Sequence, residues 1–177
     1  MRKRHFLLVT MLAITLGLPA HAGVEIPPPV QQSLPQLQLV GSGKMTWFGL
    51  HIYDAALWAP ARTVDFSSAF ALAIRYSRNF KGDRIAQRSA VEIERLSIAD
   101  AGQIADWEAR MARIFPDVRA GETLTGLYYP GRGAEFYHQD RPVGRIADPA
   151  FARAFFSIWL DPRTREPELR QRLIGQR

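Results

Sequence analysis

Histidine and cysteine set the first limit on chemistry. The 177-residue chain has four histidines and no cysteine. His5 and His21 lie in an N-terminal stretch that reads as removable, which leaves His51 and His138. Two histidines are short of the three or four protein ligands that a zinc site takes, so each reads as a polar strand residue and no metal site is expected. Gly41-Ser42-Gly43-Lys44 is the nearest approach to a phosphate loop. It fails because Met45 follows the lysine where Ser or Thr should stand, and the earlier glycine is missing. Thr46 likewise replaces the third glycine of a dinucleotide fingerprint. No G-x-S-x-G elbow exists; Gly41-Ser42-Gly43 is a fragment of one. No cofactor is expected, and no residue is assigned a catalytic role. What remains is a set of aromatic residues on or beside apolar runs: Trp47, Tyr53, Trp58, Tyr76, Tyr128 and Tyr137. They serve either as sheet-face packing or as the lining of an apolar cleft with one or two orienting polar groups.

The N-terminus says where such chemistry would operate. Arg2, Lys3, Arg4 and His5 precede an apolar run from Phe6 to Leu18, and Ala20-His21-Ala22 supplies small residues for a cut before Gly23. That is the layout of a secretory signal peptide, and the run is too short to span a bilayer, which takes about 20 apolar residues. Residues 1–22 are therefore expected to be cleaved after Ala22. The mature protein would be periplasmic or secreted, in a compartment poor in nucleotide triphosphates. It would keep 20 Lys and Arg against 17 Asp and Glu, a formal +3, since only Arg2, Lys3 and Arg4 leave with the head. So mild a bias is no nucleic-acid footprint. Arg163, Arg165, Arg170, Arg172 and Arg177 form the densest basic group, compatible with a solvated helix face or a peripheral contact with anionic lipid headgroups. Oligomeric state is not legible.

The elements that must position any site follow from periodicity. Residues 23–36, with Pro27-Pro28-Pro29, read as an extended leader, and 37–177 as one domain. Leu37 to Trp47 and Leu50 to Ala59 are expected strands joined around Phe48-Gly49. Phe70 to Tyr76 alternates cleanly, with Phe70, Leu72, Ile74 and Tyr76 on one face and Ala71, Ala73 and Arg75 on the other. A helix starts at Lys81-Gly82-Asp83. A second starts at Asp100, where Gln103 completes a capping box. Strands over Thr123–Tyr129, Ala134–His138 and Val143–Ile146 follow, separated by turns. Asp148-Pro149 opens a third helix, and a fourth spans about Glu166 to Ile174. Strands and helices in blocks predict an α+β fold, an antiparallel sheet with helices packed on one face.

Several segments carry a family resemblance. Gly41-Ser42-Gly43-Lys44, Leu50–Trp58 (LHIYDAALW), Phe115–Gly121 (FPDVRAG), Phe151–Asp161 (FARAFFSIWLD) and Leu169–Gly175 (LRQRLIG) together resemble the chalcone isomerase-like family, in its bacterial exported branch. The resemblance runs from about Leu37 to Gly175 and implies the same α+β architecture. Members are true isomerases, fatty-acid-binding proteins or proteins without a known reaction. True isomerases use an arginine whose place here falls at Lys44 or Met45. Their strand threonine falls at Tyr53, their helix tyrosine and asparagine near Ile85 and Glu92, and a late Ser or Thr at Ser157. Only Ser157 matches in type. Lys44 lacks the planar fork of arginine, and Glu92 would set negative charge near a developing enolate.

The resemblance and the residues together lean to a non-enzyme. The expected function is binding of an apolar carboxylate ligand, such as a fatty acid, between sheet and helices. The expected contacts are Lys44 or Arg75 as the cation, with Tyr53 and Ser157 as polar partners. Two other readings stay open: an intramolecular lyase acting on a phenolic or enone substrate, and an envelope interaction module without a small ligand.

Overall fold

The computed structural model of the chain describes residues 23–176, so the expected signal peptide lies outside the described residues. Alternation dictates the strands. β1 (Gln38–Trp47), β2 (Leu50–Ala59), β3 (Phe70–Tyr76), β4 (Thr123–Tyr129), β5 (Gly133–His138) and β6 (Arg141–Ile146) form one antiparallel sheet in chain order. Neighbours in the sheet are neighbours in strand order, with residues 77–122 inserted between β3 and β4. β6 starts earlier than the sequence pattern suggests, because Arg141 pairs with His138 directly. Pro142 is tolerated there because β6 is an edge strand.

Four helices cover one face: α2 (Gly82–Leu96), α3 (Ala101–Ile114), α4 (Pro149–Leu160) and α5 (Pro167–Leu173). Their apolar stripes meet Leu57, Phe70, Leu72, Ile74, Leu124 and Phe136 in the main core. Both expected caps are present. Asp100 and Gln103 exchange side-chain and backbone bonds at 2.9 and 3.2 Å. Asp148 accepts from the amides of Ala150 and Phe151 at 2.9 and 3.1 Å, and its other oxygen accepts from the Trp107 indole at 2.9 Å. One carboxylate thus starts α4 and ties it to α3.

The glycines of β1 are a packing device. A Cβ at Gly41 would overlap the carbonyl oxygen of Arg172, and one at Gly43 would come within 2.7 Å of Leu169. Both face α5, which lies directly against the strand.

The leader is not the extended tether expected from its prolines. It forms a short helix, α1 (Pro28–Ser33), with prolines in the first turn, where their missing N–H groups cost nothing. Val24, Ile26, Val30 and Leu37 are buried against Ala56, Ala71, Ala73 and Leu127, on the sheet face opposite the four helices. The three alanines leave room for this cover, which takes the apolar part of that face out of water. The proline run carries no periodicity, which is why the sequence pattern did not reveal the packing.

Two outcomes follow from these contacts. Val30 is fully buried, so Val30→Ala should cost about 1.6 kcal/mol, from two carbon groups at roughly 0.8 kcal/mol each. In a domain of this size that lowers Tm by about 3–6 °C in a thermal melt; a loose tether would show no change. Burial raises the Asp148 pKa, but the Phe151 amide, the Trp107 indole and the Ala150 amide outweigh it and hold the carboxyl below the usual Asp value. The stabilisation is present above the unfolded-state pKa and is lost as pH falls through the depressed folded one. Asn caps a helix about as well as Asp, so Asp148→Asn removes only the charge at the helix N-terminus. It should lower stability by about 0.3–1 kcal/mol at pH 7, and the gap from wild type should close below about pH 4, as read by denaturant midpoints across pH.

Candidate functional site

Between the helix face of the sheet and α2 and α4 lies a cavity of about 500 Å³. Its floor is apolar: Leu72, Ile74, Leu124 and Phe136 from the sheet, Phe155 and Ile158 from α4. Gly126 also lines it, and a Cβ there would press within 3.0–3.3 Å of the Phe156 and Phe136 rings. Among the lining residues, the exposed ones are Trp47, Arg84, Arg88 and Arg165. They mark the mouth.

Polar groups are few and mostly committed. The Trp159 indole donates to the Tyr53 hydroxyl at 3.0 Å, a bridge from α4 to β2 across the cavity wall. The Tyr53 proton remains available to a second acceptor. Burial pushes the Tyr53 phenol well above its ordinary pKa, against the opposing Trp159 bond. Tyr76, whose ring lies 6.1 Å from that of Tyr53, is raised by burial and then by Tyr53. Both phenols are therefore neutral donors at physiological pH. Ser89 donates to the Ile85 carbonyl at 2.9 Å, back along its own helix.

Glu92, only 8% exposed, is surrounded by cations. Arg88 meets one oxygen at 2.6 Å, and Arg95 and Arg165 meet the other at 3.0 and 3.6 Å. Glu166 sits nearby with its pKa raised, first by burial and then by Glu92 and Glu168. Arg84 donates to Gln87 at 2.9 Å and, among the described residues, has no carboxylate partner. It is the cation at the mouth best able to meet an incoming anion.

The expected site residues separate. Tyr53 lines the cavity. Ser157 is buried in α4 but is not part of the lining; its carbonyl accepts from Asp161 at the helix end. Lys44 and Arg75 are on the wrong face, and their expected role as cavity cations is corrected here. Met45 pairs with Tyr53 and points into the cavity, so Lys44, one residue away, points to the far side opposite Asp54. Arg75, paired across from Asp54, ion-pairs with it at 3.3 Å. The glycines of β1 do not turn Lys44 inward, because they face α5. The cations at the mouth, Arg84, Arg88 and Arg165, were missed. Arg84, Arg88 and Glu92 share one side of α2 at helical spacing, and that was the signal available.

Of the positions that the resemblance pointed to, all but Ser157 converge. Met45, Tyr53, Ile85 and Glu92 all line this one cavity. Of the two residues at the arginine's place, Met45, an apolar side chain, lines the cavity and Lys44 does not. Among the described residues no group of three His, Cys, Asp or Glu side chains could hold a metal ion, and no helix is long and apolar enough to cross a membrane.

Comparison with known proteins agrees with this fold. The model of the chalcone isomerase-like family matches residues 19–175. No curated protein sequence matches the chain. Among solved structures, a fatty-acid-binding protein of Arabidopsis thaliana is similar in fold, with a TM-score of 0.60 at 10% identity over 79% of this chain and 87% of that one.

Proposed function

The chain belongs to the chalcone isomerase-like family, and we propose that it is an exported, non-catalytic member that holds an apolar carboxylate ligand, such as a fatty acid, in the cavity between sheet and helices. One observation carries this reading: an apolar chamber of about 500 Å³ whose exposed lining is one tryptophan and three arginines. The volume is in the range of about 300–1,000 Å³ that small-molecule sites occupy. The tail would lie against Leu72, Leu124 and Phe136. The carboxylate would meet Arg84 at the mouth, since an unpaired carboxylate inside would be costly. A protein with this fold is described as binding fatty acids, and the lining here suits the same ligand class. Export, read from the basic head and apolar run before Gly23, would place the protein beside membranes, where such ligands reside.

The isomerase reading is weaker on chemical grounds. Enone cyclisation develops an enolate that needs a positive donor, and Met45 offers none. The phenols of Tyr53 and Tyr76 are held neutral, so neither serves as a base near pH 7. Absorbance of naringenin chalcone should decay no faster with the protein than without it; saturable turnover would restore the enzyme reading.

Titration with a fluorescent fatty acid tests the binding. Arg84→Met should weaken affinity roughly five- to thirtyfold, between an exposed ion pair of about 1 kcal/mol and a charged hydrogen bond of about 2 kcal/mol. Lys44→Met should leave affinity unchanged. The reverse ranking, or no binding by the wild type, would contradict the proposal.

A further inference from the structure

The turn between β1 and β2 breaks a local rule. Phe48 and Gly49 have φ of 47° and 76°, and Trp47 pairs with Leu50 across them. Positive φ at both central residues defines the type I′ hairpin turn, which favours Asn-Gly. A bulky side chain at such a φ is an outlier. Phe48 gains no burial in return: it is 87% exposed, with Trp47 at 60% and Leu50 at 46%. The Trp47 and Phe48 rings meet edge to face at 4.8 Å. Three large apolar side chains thus stand in water on a tight tip, one of them in a strained conformation. Strain kept without structural return points to a task outside the folded chain.

The location of the tip narrows that task. Met45 and Trp47 on one arm of the hairpin and Ile52 on the other line the cavity. The apolar tip is therefore continuous with the chamber, and Trp47 belongs to both. The other exposed lining residues are Arg84, Arg88 and Arg165. Two acids also line the cavity, but Glu92 is buried among Arg88, Arg95 and Arg165, and Glu166 is half-buried, so three exposed arginines outnumber them. The outward charge of the rim is positive.

We propose that the Trp47-Phe48-Gly49-Leu50 tip inserts into the headgroup layer of an anionic lipid bilayer and sets the cavity mouth against it. Tryptophan favours the membrane–water interface, where its ring is half wet. Arginine meets phosphate in a two-point geometry. A protein partner fits less well, because a stable protein interface takes about 20–30 residues a side and the tip offers three apolar side chains. The inference rests on the ligand reading for the nature of the cargo, which would pass between bilayer and chamber without crossing water.

Co-sedimentation of the purified protein with phosphatidylglycerol–phosphatidylethanolamine vesicles tests it, with pure phosphatidylcholine as the uncharged control. The wild type should partition onto the anionic vesicles and several-fold less onto the neutral ones. Phe48→Asn removes the ring while suiting the turn, so it should lower partitioning at least tenfold with Tm unchanged or higher. Phe48 does not line the cavity, so the same variant should keep its affinity for a soluble fluorescent fatty acid. Arg84→Gln combined with Arg165→Gln should erase the preference for anionic vesicles. No partitioning by the wild type, or equal partitioning by Phe48→Asn, would overturn the proposal. So would a concentration-dependent dimer, abolished by Phe48→Asn, in a protein that ignores vesicles. Vesicle binding without fatty-acid binding would support the membrane tip and sink the cargo reading.

Discussion

A one-residue step along a strand carries a side chain from one face of a sheet to the other, and which strand residues can reach a ligand here is decided by that step. Met45 enters the cavity and Lys44 leaves it. Ile74 enters and Arg75 leaves. The far face is then free to be lined by small residues, Ala56, Ala71 and Ala73, over which the N-terminal segment closes. The helix face keeps the large side chains, and they are what the four helices and the chamber are built from.

The walls of the chamber are fixed to one another by specific ties. The Trp159–Tyr53 bond fixes α4 to β2 beside the cavity. Asp148 fixes the start of α4 to α3 through Trp107. Arg88, Arg95 and Arg165 hold Glu92 at the rim, and that cluster joins α2 to the segment leading into α5. Taking one partner from such a cluster would leave a buried charge uncompensated. The same cluster leaves the rim positive while consuming its only deeply buried acid, which suits an anion entering from outside and does not suit an enolate forming inside.

Much of the fold was legible because its signals are local. Alternation on Phe70–Tyr76 and the caps at Asp100 and Asp148 each follow from residues within a few positions of one another. The packing of residues 23–36 was not legible, because a proline run has no period and its apolar residues find partners only in the finished sheet. For the site, Tyr53 was reachable through its strand position. Lys44 was not, because a bulge in β1 and the close approach of α5 set the orientation of that strand. The arginines of the mouth were visible as a helical row but carried no motif, and only the tertiary arrangement brings them beside Trp47.

The central claim is that an acyl chain lies inside the chamber with its acid at the arginine rim. A crystal structure of the protein with a long-chain fatty acid brominated at its terminal carbon tests this most directly, since anomalous scattering locates the bromine alone. The account predicts the bromine among Leu72, Leu124 and Phe136, with the carboxylate beside Arg84. A bromine on the far face near Lys44 and Arg75, or bound fatty acid with the cavity empty, would contradict it.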